Sequence, residues 1–176
     1  MKMTNAEKLM TVMLAEILAG IKAKGEIEPE FVKEAIFNDH LWALEWKYHG
    51  LFADSADPTP PEVSFVLDVL DMWSFIERGY KELSKADKAR VDAEVPYGVS
   101  RFEGFDGNNE TQYMSIARFL VEQLDRFTEF KGRGFNSHMP SAGRYQQMLE
   151  KFEPIRAGLG APRDLNGNEL IAICKR

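Results

Sequence analysis

Apolar residues recur along this chain at three- and four-residue intervals nearly from end to end, the spacing that gives a helix one apolar face. The first run follows Thr4-Asn5-Ala6-Glu7, a capping box in which the Thr hydroxyl covers an early amide and the Glu side chain reaches back. A helix is predicted from there to about Lys22. Leu9, Met13, Ile17 and Ile21 form one stripe on it, and Met10, Leu14 and Leu18 form a second beside it. Two adjacent stripes exceed what one buried face needs, so this helix is either central to the core or shared with a second subunit.

Gly25 breaks the pattern, and Pro29 is well placed to open a short helix carrying Phe31, Val32, Ala35 and Ile36. Asn38-Asp39 can cap the next, with Leu41, Trp42, Leu44 and Tyr48, up to Gly50. Residues 53–61, with three prolines and two aspartates, read as a connector. Pro60-Pro61-Glu62 opens a long helix whose apolar positions run from Val63 to Tyr80. Ser84 and Asp87 suggest another capped start, followed by a weakly amphipathic charged helix to Glu94. Residues 96–103 are irregular or a single extended stretch.

The clearest pattern lies over residues 109–130, with Tyr113, Ile116, Leu120, Leu124 and Phe127 inward and Arg118, Glu122, Asp125 and Glu129 outward. A further helix over residues 142–159 carries Tyr145, Met148, Leu149, Phe152 and Ile155. Pro154 should kink or end it. Gly158, Gly160 and Pro162 form a loop, and Asn166 with Glu169 caps a short last helix whose closing Lys175-Arg176 complements its dipole. The expected fold is therefore all-α, a single-domain bundle of about seven to eight helices with kinked or short C-terminal ones. Residues 1–176 form one domain, with a possible subdivision at 1–57 and 58–176.

Composition adds bounds. The 176 residues suit one domain with a substantial core, and 44% apolar with 28% charged residues is ordinary for a globular protein. The net charge of −6 opposes generic duplex DNA binding, which depends on neutralising phosphates. Residues 131–176 hold eight Lys/Arg against four Asp/Glu, a local net of +4 that leaves −10 on residues 1–130. That asymmetry suits an acidic partner, head-to-tail self-association or nothing more than a solvated surface. Nucleic-acid binding through the basic C-terminal region ranks last among the functions considered. Cys174 is the single cysteine, which excludes an intrachain disulfide or thiolate cluster and fits a reducing cytoplasm. The apolar run over residues 9–21 is too short to span a membrane, and Glu16 within it argues against a signal peptide.

Catalytic and cofactor patterns are absent: no phosphate loop, no dinucleotide fingerprint, no nucleophile elbow, and no metal pair among His40, His49 and His138. What stands out is a pair of segments rich in glycine and asparagine, Gly104-Phe105-Asp106-Gly107-Asn108-Asn109-Glu110 and Lys131-Gly132-Arg133-Gly134-Phe135-Asn136-Ser137-His138. In a structural reading Asp106, Asn108 or Asn109 caps the long helix, Phe105 anchors it in the core and the glycines permit the turn. In a functional reading Asp106, Glu110 and His138 converge. A 20-residue helix is about 30 Å long, which would hold the two segments at opposite ends and oppose that convergence. The second segment stands better alone: Arg133, Asn136 and His138, with Arg144, could hold a phosphate or carboxylate near the free amides of a helix start at Pro140-Ser141.

The start Met3-Thr4-Asn5-Ala6, the Gly104-Phe105-Asp106 turn, Tyr113 with Arg118-Phe119, Gly134-Phe135-Asn136 and Tyr145-Gln146-x-Met148-Leu149 together resemble the YfbU family of small bacterial proteins. The likeness covers nearly the whole chain and is strongest over residues 104–152. It implies a cytoplasmic, largely helical protein and brings no assigned activity, cofactor or catalytic residue. Similar sequences occur joined to small DNA-binding domains, a hint of regulation, and this chain shows no such addition. The expectation is a non-catalytic interaction or regulatory protein working as a homo-oligomer. A small-anion sensor or enzyme using residues 131–144 is the alternative.

Overall fold

A computed structural model describes residues 1–22, 25–52, 57–95, 99, 101–159 and 163–175. Residues 53–56 of the connector, 96–98 and 100 of the expected irregular stretch, 160–162 of the C-terminal loop, and Arg176 lie outside the described residues. Among the described residues the fold is all-α: α1 (Asn5–Gly20), α2 (Pro29–Phe37), α3 (Leu41–Lys47), α4 (Pro61–Glu82), α5 (Lys85–Glu94), α6 (Thr111–Glu122), α7 (Ala142–Ala157) and α8 (Gly167–Cys174). Short 3-10 turns follow α3 and α6, at His49–Leu51 and Thr128–Phe130. No strand forms among them, and one isolated parallel bridge joins Phe105 to Asn136.

The helix ends obey local chemistry. Thr4 and Glu7 make the expected capping box at α1, Ser84 accepts the Asp87 amide at α5, and Asn166 with Glu169 makes a second box at α8. One expected cap is displaced. Asp39 takes a left-handed conformation (φ 56°) to reverse the chain after α2, a step that aspartate tolerates. The N-cap of α3 is therefore His40, with no side-chain cap bond, rather than Asn38 or Asp39. Pro154 lies in the last turn of α7, which stops three residues later at Ala157.

The chain forms two compact units, Met1–Pro61 and Glu62–Arg176. In the first, α2 lies between α1 and α3. Phe31, Val32, Ala35 and Ile36 of α2 and Leu41 to Leu44 of α3 are buried. Lys8 pairs with Asp39 at 2.8 Å, tying the first turns of α1 to the end of α2. Yet α1 buries only Ala15. Its inward side is Lys8, Thr11, Val12, Ala15 and Leu18, while its most apolar stripe points outward.

In the second unit, α8 packs against α5 and α7. The core is aromatic, and Phe102 is its hub. Its ring lies 5.4 Å from Phe130, 5.9 Å from Phe105 and Tyr145, 6.2 Å from Trp73 and 6.3 Å from Phe135. This cluster explains the main departure from the sequence pattern. The helix expected over residues 109–130 stops at Glu122. The chain then reverses through Asp125 and Phe127, both left-handed at φ 51°. Leu124 and Phe127 become half-buried loop residues, and Phe130 is fully buried. Each left-handed residue costs about 1–2 kcal/mol, whereas burying a phenylalanine gains about 1.5–3 kcal/mol. Delivering both Phe130 and Phe135 to the cluster outweighs two such residues.

Candidate functional site

Because α6 ends early and the chain turns back, the two glycine- and asparagine-rich segments meet. The expected separation at opposite ends of one helix does not occur. The Phe105 amide donates to the Phe135 carbonyl at 2.9 Å, and the Ser137 amide donates to the Phe105 carbonyl at 3.0 Å. Gly104 makes the approach possible. It sits at φ 94°, and a Cβ there would lie 2.1 Å from the Phe135 carbonyl oxygen. Asn136 fastens the second segment to the first, its Oδ1 accepting from the amides of Gly107 (3.0 Å) and His138 (2.9 Å).

Two carboxylates organise the junction. Asp106, buried, accepts the Asn108 amide and the Asn109 side-chain amide. Those bonds, Asn109 first, with nearby His138 adding a smaller effect, hold its carboxyl below the ordinary value. Glu110 accepts the Asp106 amide (2.9 Å), the Ser141 amide (3.0 Å to either oxygen) and the Ala142 amide (2.9 Å). Burial pushes the Glu110 carboxyl up, but the amides of Asp106, Ala142 and Ser141 outweigh it and leave the value lowered. The Gly104 carbonyl in turn accepts the hydroxyls of Ser141 and Tyr145, each at 3.0 Å.

This geometry corrects the expected caps and shows what occupies the helix start near Pro140-Ser141. Glu110 is the N-cap residue of α6 without a side-chain cap bond there; its carboxylate instead serves the first amides of α7. The negative group expected at the helix start near Pro140-Ser141 is thus the chain's own. Asp106 and Glu110 do come together, with His138 beside Asp106, but both carboxyls are stabilised in the ionised form.

A polar pocket of about 530 Å³ lies next to this junction, between Arg101-Glu103 and the loop from Gly132 to His138. Arg133, Asn136 and His138 line it. Arg133 is already committed. Its guanidinium makes a bidentate pair with Glu77 of α4 (2.8 and 2.9 Å) and covers the Phe130 ring at 5.0 Å. Glu77 also accepts the Phe102 amide at 2.6 Å. Arg144 is not part of this pocket. It is half-buried, its charge acts on Tyr145 and Cys174, and its buried Nε has no hydrogen-bond partner among the described residues. Burial pushes the Cys174 thiol up to about 12, so it is inert at neutral pH. Sequence reasoning passed over Glu77 because it is one acid among many on an ordinary helical pattern. It placed Ser141 at a helix start but not its bonds to Glu110, which lies 31 residues away.

The other outstanding surface is α1. Leu9, Met10, Met13, Leu14, Ile17 and Ile21 are 54–68% exposed. The apolar stripes were legible in the sequence; their outward direction was not. Among the described residues no helix is long and apolar enough to cross a membrane, and no cluster of His, Cys, Asp or Glu could hold a metal ion.

Fold and site together define an all-α protein with a polar cluster that fastens its own loops and an exposed apolar face on α1. The chain belongs to the YfbU family: the family model described as "YfbU domain" matches residues 1–174. It is 38% identical over 117 residues to the UPF0304 protein MJECS11 of Methanocaldococcus jannaschii, a match covering 64% of this chain and 66% of that protein. The family's function is uncharacterised.

Proposed function

We propose that this protein is a non-catalytic interaction or regulatory protein that works as a homo-oligomer through the outer face of α1. One observation carries the reading. α1 is turned inside out, with its weaker side on α2 and six large apolar side chains facing water. Methionines at positions 10 and 13 give that face an adaptable surface. The groups on which anion binding would depend support the same choice, since Arg133 is held by Glu77 and the α7 amides by Glu110. A buried, unreactive Cys174 as single cysteine fits work in a reducing cytoplasm.

Sedimentation of the full chain across a concentration series tests it. Self-association with a Kd of about 10 µM or tighter is expected, about 7 kcal/mol of association energy. Leu14→Glu, which places a charge in the face without touching the buried core, should weaken it by about 100-fold or more. A strict monomer at the highest concentrations would sink the reading.

A further inference from the structure

The exposed row of α1 has a regularity that specifies how two copies meet. Leu9, Met13, Ile17 and Ile21 repeat every four residues, and the row's midpoint lies at the level of Ala15. A row with constant spacing maps onto itself when reversed, so Leu9 takes the place of Ile21 and Met13 the place of Ile17. Resting on the self-association proposed above, we infer that the occupant of this face is α1 of a second copy. The two helices run antiparallel across a twofold axis at the level of Ala15, with Met13 of each copy against Ile17 of the other.

Three considerations favour this occupant. The six side chains offer on the order of 500 Å² per copy, at the upper end of the ~300–600 Å² patches found on monomers and over half the ~800 Å² that each side of a standard interface contributes. The same patch on both partners is the condition for a closed, isologous dimer. Antiparallel pairing also sets the two helix dipoles head to tail, where a parallel pair would set like ends together.

Cross-linking of the full-length protein in a Cys174→Ala background tests the arrangement. Across the proposed axis two copies of residue 13 are offset by four residues, about 6 Å along the helix, and two copies of residue 9 by twelve, about 18 Å. With a short bismaleimide, Met13→Cys should therefore cross-link about tenfold faster or more than Leu9→Cys, because only the first pair lies within reach. The double variant Leu9→Cys/Ile21→Cys should recover the fast rate. In a protein that sediments as a dimer, equal rates for the two single variants would overturn the antiparallel pairing and leave self-association standing. A dimer in which neither variant cross-links would place the interface away from α1. Sedimentation as a monomer would remove the reading beneath it. A monomer that floats with vesicles of phosphatidylcholine and phosphatidylglycerol would assign the face to lipid instead.

Discussion

Glu110 shows how much one side chain can hold. It satisfies amides from two segments of chain, Asp106 on one side and Ser141 and Ala142 on the other. Glu110→Ala removes those bonds and leaves part-buried donors unpaired, so it should cost about 2–3 kcal/mol, a fall in Tm of about 5–10 °C by calorimetry. Glu110→Gln, which keeps an acceptor oxygen, should cost less. The lowered carboxyls fix the sign of the acid response. A group whose folded value lies below its unfolded one contributes stability above the unfolded value and loses it as pH falls through the folded one. For Glu110 and Asp106, with ordinary values of 4.5 and 3.8, the loss begins below about pH 4.5 and continues as pH falls further. Denaturant titrations from pH 7 to pH 3 should show a descending acid limb that is shallower in Glu110→Gln. An unchanged limb would mean that this carboxylate does not govern it.

At the scale of elements, what matters is where α6 stops. Its apolar period continues through Leu124 and Phe127, and local pattern alone extends the helix past its observed end at Glu122. The reversal depends on Phe130 and Phe135 entering the cluster around Phe102, and on Gly104 letting two backbones touch. Gly104→Ala should therefore cost about 3 kcal/mol or more, since a methyl group must displace the Phe135 carbonyl at an unfavourable φ. Far- and near-UV melts would show the loss, and near-native stability would contradict the account of the joint. Helix types and caps were readable from the sequence because they depend on neighbours three or four residues apart. Glu110's bond to Ser141 spans 31 residues and Arg133's pair with Glu77 spans 56, distances at which spacing along the chain carries no information.

In the molecule as a whole, residues 62–176 carry an aromatic core and polar junction of their own. Expressed alone, that segment should fold, with a cooperative thermal transition and a near-UV signal from its aromatic cluster. A broad, non-cooperative melt would contradict this. The smaller unit presents the α1 face, so the effect of Leu14→Glu should appear in association and not in the fold of residues 62–176. By itself the sequence determined the all-α class, most helix positions, the capping boxes, the family likeness and the excess of apolar surface on α1, all consequences of short-range periodicity and residue type. Only tertiary structure decided that α6 ends early, that the two loops close on each other, that Glu110 fills the start of α7, that Arg133 is neutralised and that the apolar stripe of α1 faces out. Those outcomes turn on which distant surfaces compete for burial, a balance that no local pattern contains.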